Sequence, residues 1–156
     1  MDTETLKLRS VRVARYVTPL REGGSMPAIV EADDLGTYVL KFRGAGQGVR
    51  ALIAEIIAGG IARALGLPLP EIVLVHLNGD LSRTESDPEI QDLIRASDGL
   101  NVGLDYLPGS MNFDPAVDVV DSDFASRLVW FDTLVSNVDR TARNTNMLVC
   151  KKQPWL

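Results

Sequence analysis

Apolar and basic residues alternate near the start of the chain, where Leu6, Leu8, Val11 and Val13 interleave with Lys7, Arg9, Arg12 and Arg15. A period close to two buries one face of a strand, so the pattern predicts a strand over 6–16. Ala28 to Ala32 and Thr37 to Phe42 flank the turn-forming run Asp33-Asp34-Leu35-Gly36, which predicts a β-hairpin. From Val49 to Leu65 the spacing becomes helical, and Gly66 with Pro68 and Pro70 beyond it supplies a glycine C′ stop followed by proline. The most apolar part, Ala51 to Leu65, is broken by Glu55, Gly59, Gly60 and Arg63 and is too short to cross a bilayer, so it reads as a buried helix.

Glu71 to Leu77, rich in Ile, Val and Leu, predicts a strand that contains His76, and Asn78 to Ser86 a polar loop. Asp87 then caps a short helix to about Ser97, with Pro88 at its first position. A strand over 100–107 is closed by Pro108-Gly109. An acidic loop over 113–121 leads to a helix from about Asp123 to Ser136 with Ser122 as its cap. A polar loop from Asn137 to Asn146 precedes a short strand over 147–150. Runs of strands followed by helix predict an α+β fold rather than alternating α/β.

At 156 residues with 46% apolar and 24% charged side chains, the chain has the size of one domain and the composition of a folded one. Its 16 Lys and Arg against 21 Asp and Glu leave a net charge of −5. That balance speaks against a face built to neutralise phosphate backbones, and no direct nucleic-acid partner is expected. Cys150 is the only cysteine, which removes any intramolecular disulfide, and no Cys/His cluster marks a zinc site. Met1 to Lys7 lacks the basic and apolar regions of a secretory signal, so a cytoplasmic protein without membrane attachment is expected.

Polar residues inside apolar elements carry the candidate chemistry. Lys41, within Tyr38-Val39-Leu40-Lys41-Phe42, must snorkel, pair or bind an anion. Glu55, the only acid in its helix, lies on a flank with Ala51, Gly59 and Ala62 where another backbone can approach. Together they suggest an ion pair across a sheet-helix contact that leaves Lys41 facing a phosphate. Asp139 and Asn144 share the polar loop between an apolar helix and an apolar strand. The carboxylate can accept a hydroxyl proton and the amide oxygen can bind Mg²⁺, although the same residues also suit a capped polar turn. Gly44-x-Gly46-x-Gly48 departs from a dinucleotide-binding loop, because its third glycine comes one place early and its strand belongs to a hairpin. His76 and Cys150 sit in apolar strands and read as core residues rather than a nucleophilic pair.

Tyr38 to Phe42, Glu55 to Leu77 with Ala-Leu-Gly-Leu-Pro at 64–68, Val102 to Gly109 and Asn137 to Leu148 carry a resemblance to the HipA-like kinases. That family is a branch of the protein-kinase-like superfamily whose nucleotide pocket is similar to that of phosphatidylinositol kinases. The resemblance implies an antiparallel-sheet nucleotide-binding lobe with one main helix and a hinge over 1–107, and the start of a mostly helical catalytic lobe over 108–156. Lys41 would bind the α/β phosphates with Glu55 as its partner, and Gly23, Gly24 and Ser25 would cover them. Leu104, Asp105, Tyr106 and Leu107 would form the hinge that meets adenine. Asp139 would be the catalytic aspartate and Asn144 a magnesium ligand.

The implied activity is ATP- and Mg²⁺-dependent transfer of the γ-phosphate to a hydroxyl of a protein Ser/Thr or a small molecule. An antitoxin-like partner is a further implication. The alternative is a noncatalytic nucleotide-binding or interaction module. Two departures bear on that choice. Thr141 stands where many relatives carry His. The family also continues into a second metal-binding aspartate, whereas the sequence stops at Pro154-Trp155-Leu156, so a chain truncated before that aspartate is expected.

Overall fold

Strand β1 (Arg9–Pro19) pairs antiparallel with β2 (Ala28–Ala32), and β2 pairs antiparallel with β3 (Thr37–Lys41) across the predicted hairpin turn. The computed structural model describes residues 7–20 and 25–156. They fall into two compact units, the described residues up to Ile56 with Glu71–Tyr106, and Ile57–Pro70 with Leu107–Leu156.

In the first unit β4 (Ile72–Leu77) and β5 (Gly99–Asp105) complete a closed barrel in the order β1-β2-β3-β5-β4. The expected antiparallel sheet needs one correction: β1 and β4 run parallel, from Arg9 opposite Val73 to Arg12 opposite His76. Parallel neighbours need a long crossover, and here the hairpin and the helix that follows it supply one. Closure also leaves the sheet no free edge. Register shifts between Val13 and Arg15 and between Tyr16 and Thr18 bend β1. These bulges break the period of two, so the strand runs on past the predicted end at Tyr16. Val30, Leu40, Val73 and Val75 fill the interior with almost no exposure.

Helix α1 (Gly48–Ala64) ends as its sequence predicts. Gly66 adopts φ +68°, while its N–H bonds Arg63 O and that of Leu67 bonds Ala62 O, the paired bonds of a glycine-stopped helix. The helix is not buried all round, however. Val49, Ile53 and Ile57 are each about half exposed, because their four-residue spacing aligns them on one outward face. A 3-10 helix (Gly79–Thr84) replaces the predicted polar loop and starts where the Asn78 side chain accepts the Asp80 N–H at 2.9 Å. α2 (Pro88–Ala96) is capped by Asp87, which accepts the Glu89 N–H at 3.0 Å. β5 stops at Asp105 rather than Leu107, although the Tyr106 N–H still reaches Thr37 O at 2.9 Å.

In the second unit, α3 (Ser122–Leu134) starts one residue earlier than expected. Its cap is Asp121, not Ser122, because the Asp121 carboxylate accepts the Phe124 N–H at 2.8 Å and Ser122 is already helical. β6 (Met111–Asn112), β7 (Leu148–Cys150) and β8 (Gln153–Trp155) form a small antiparallel sheet, of which only β7 is visible in the apolar pattern. Ala62, Leu67, Phe124, Leu128, Phe131 and Met147 make the core of this unit. Among the described residues no helix is long and apolar enough to cross a membrane.

Candidate functional site

Alternation along β3 sends Leu40 into the barrel and Lys41 out of it. Lys41 lies opposite Val102, and Val39 lies opposite Leu104. Directly opposed residues share a face, so these four side chains leave the barrel on one side. There Lys41 Nζ stands 3.6 Å from Glu55 Oε1 of α1, each side chain about 30% exposed. The unit thus sets a half-buried cation beside the aliphatic side chains of Val39 and Leu104.

A buried polar knot holds the turn that follows Lys41. Asn101, 1% exposed on β5, accepts the Arg43 N–H at 2.8 Å and donates to Ser97 O and Gly99 O. Ser97 Oγ accepts the Gly44 N–H at 3.1 Å. Ser25 lines a shallow cleft with Gly44, Gly46, Glu89 and Asp92, beside the turn that follows Lys41, and neither Lys41 nor Glu55 lines that cleft. Gly23 and Gly24 lie outside the described residues.

Along the expected hinge, the Asp105 N–H is taken by Glu71 O at 2.9 Å. Burial, and then the negative charge of Glu71, raise the Asp105 carboxyl above its ordinary value. Tyr106 is exposed at the end of the first unit, and Leu107 opens the second.

In the second unit, Asp139 and Asn144 come together. The Asn144 side-chain N–H₂ donates to the Asp139 carbonyl at 3.0 Å, and the Asp139 N–H donates to the Asn137 side chain at 3.2 Å. Thr141 has a definite part: its hydroxyl accepts the Asn144 N–H at 3.0 Å, and its own N–H donates to Asn144 O at 2.8 Å. With its amide nitrogen engaged, Asn144 presents a hard oxygen donor beside the exposed Asp139. Among the described residues no group of three or more His, Cys, Asp and Glu could cage a metal. Mg²⁺ needs no such cage, since it keeps waters and is commonly held by one or two protein oxygens together with substrate phosphates. Asn144 thus offers one oxygen donor of the kind Mg²⁺ takes.

Asp132 and Arg140 frame this loop without standing out in the sequence. An arginine in a polar loop reads as solvated, and an aspartate near the end of a helix reads the same way. Asn101 does leave a trace, as an amide inside the otherwise apolar run Leu100 to Leu104. His76 is not a core residue: it points outward from β4, whose buried positions alternate around it. Cys150 is half-buried, with its sulfur 3.9 Å from Pro108 O.

Comparison with curated proteins and with solved structures found no match. The family comparison matched the HipA-like kinase family over residues 13–155, a span that takes in the Lys41–Glu55 pair and the Asp139–Asn144 loop alike. Over that span the chain belongs to the HipA-like kinases.

Proposed function

We propose that the chain binds ATP with Mg²⁺ and transfers the γ-phosphate to a hydroxyl, with a protein Ser or Thr as the acceptor. The observation that carries this reading is the Lys41–Glu55 pair at 3.6 Å beside Val39 and Leu104. Lys41 would hold the α/β phosphates by charge-assisted hydrogen bonds, and Glu55 would fix the direction of its ammonium. Val39 and Leu104 would receive the apolar faces of adenine.

Asp139 would orient the acceptor hydroxyl and take its proton as the oxygen attacks phosphorus. Its exposed carboxylate leaves room for an incoming side chain, and a proton acceptor in this role must come within hydrogen-bond reach of the hydroxyl. Asn144 would help hold Mg²⁺, which when bound would neutralise phosphate charge. The protein's share is then positioning and electrostatics, the terms on which phosphoryl transfer mainly depends.

Calorimetric titration with Mg-ATP, paired with a γ-phosphate transfer assay, tests the reading. Wild-type protein should bind. Lys41→Ala should weaken binding at least about tenfold, the value of one charge-assisted contact. Asp139→Asn should keep affinity and lose transfer. Binding untouched by Lys41→Ala would overturn the site, and binding without transfer in the wild type would point to a noncatalytic nucleotide-binding module.

A further inference from the structure

In the second unit one arginine ties the loop from Asn137 to Asn146 together. Arg140 Nε donates to Asp132 Oδ2 at 2.7 Å, while its Nη1 donates to Thr145 O at 2.8 Å and Asn146 O at 2.7 Å. The other Asp132 oxygen accepts the Asn137 side-chain N–H₂ at 2.9 Å, and Asp132 O accepts the Asn137 N–H at 2.8 Å. Both charged side chains are largely withdrawn from water, 13% exposed for Arg140 and 17% for Asp132. The end of α3 thus reaches the first residue of the loop through Asp132, and its last residues through Arg140. Thr145 fastens the far end again by donating its hydroxyl to Phe113 O at 3.0 Å.

Asp139 sits between the two residues that Asp132 grips, and Asn144 sits just before the carbonyls that Arg140 grips. We infer that Arg140, locked by Asp132, is the positioning residue that holds the Asp139 carboxylate and the Asn144 amide in working register. The inference rests on the proposed function for its consequence in catalysis, but its geometry stands in this unit alone. Charge by itself does not suffice for such a clamp. The acceptors lie on two separate parts of the chain, Asp132 on one and Thr145 with Asn146 on the other, and a planar fork with fixed N–H directions reaches both together, whereas a lysine ammonium is a single point donor. Small misplacement of reacting groups is costly in rate, on the order of a hundredfold for about 1 Å.

The test compares wild type, Arg140→Lys, Asp132→Asn and Asp139→Asn by Mg-ATP titration, γ-phosphate transfer and amide hydrogen exchange. Arg140→Lys and Asp132→Asn should hold nucleotide affinity within about twofold and lose about a hundredfold or more in kcat. Exchange should quicken at the Thr141 and Asn144 amides and stay unchanged within α3. Wild-type rates in Arg140→Lys beside an inactive Asp139→Asn would overturn the positioning role and leave the kinase reading in place. Transfer unaffected by Asp139→Asn, or absent from the wild type, would overturn the kinase reading and this catalytic role with it. Unchanged exchange at Thr141 and Asn144 in both variants would refute the clamp whatever the rates, as would loss of protection throughout α3.

Discussion

Lys41 Nζ and Glu55 Oε1 stand 3.6 Å apart, beyond ideal hydrogen-bond length, with each side chain still about 30% open to water. A pair of this kind adds little to stability, because solvent screens the attraction and two long side chains lose freedom in making it. Its worth must lie elsewhere if it is to matter. Glu55→Gln is expected to change unfolding free energy by less than about 1 kcal/mol. The same substitution should weaken Mg-ATP binding several-fold, since the ammonium loses its fixed direction. Urea denaturation beside calorimetric titration reads both, and a large stability loss with unchanged affinity would make the pair structural.

Much of the secondary structure is legible from local pattern. The turn run 33–36 marks the β2–β3 hairpin, Asp87-Pro88 marks the start of α2, and Gly66 marks the end of α1. What is not legible depends on distant pairing. The parallel contact of β1 with β4 joins residues more than sixty positions apart, and nothing in either strand's alternation names its neighbour. β6 and β8 are too short to show a period. At the site the same division holds. Lys41 stands out as the one charge in an apolar strand and Glu55 as the one acid in its helix, whereas Arg140 lies among polar neighbours and Asp132 is one of three charges on α3. Their importance appears only when the carbonyls of Thr145 and Asn146 are seen to converge on one guanidinium.

Asn101 satisfies three backbone groups from a position 1% exposed. Asn101→Leu keeps the volume and leaves the Arg43 N–H and the Ser97 and Gly99 carbonyls without their partner. Buried backbone groups stripped in this way cost about 1 to 3 kcal/mol each, so a loss of about 3 kcal/mol or more is expected. Ser97→Ala, which frees only the Gly44 N–H, should cost about 1 kcal/mol. Equilibrium urea unfolding of the two variants should rank them in that order. The reverse order would mean that the turn after Lys41 is held by something other than this knot.

Gly103 marks a tight spot in the barrel. A Cβ built there would lie 2.6 Å from Val75 Cγ2 and 3.2 Å from Val73 Cγ2. Both valines are fully buried, and β-branched side chains have few rotamers with which to retreat. Gly103→Ala is therefore expected to cost about 1 to 3 kcal/mol by overpacking. Val75→Ala removes the nearest methyl group, so the double variant should be more stable than the sum of the two single losses implies. A double-mutant cycle checks this, and strict additivity would show that the barrel yields in some other way.

The Tyr16 hydroxyl on β1 is buried and has no hydrogen-bond partner among the described residues. Burial first, and then the negative charges of Glu85 and Asp87, push its ionisation up to about 12. An unfolded tyrosine ionises near pH 10. The folded chain therefore keeps a proton that the unfolded chain gives up once the pH passes about 10, and stability falls as pH rises through the window from about 10 to about 12. Below that window the contribution is fully present. Tyr16→Phe removes both the unpaired hydroxyl and the titration. At neutral pH it should be neutral or stabilising by about 1 kcal/mol, because an unmet buried polar group is taken away. Its advantage over wild type should then widen with every step above pH 10. Urea midpoints for the two proteins from pH 7 to pH 11 give the comparison, in which alkaline effects common to both cancel. A marked loss of stability in Tyr16→Phe at pH 7 would show that the hydroxyl has a partner after all, such as a bound water, and that the packing around β1 is more polar than its side chains indicate.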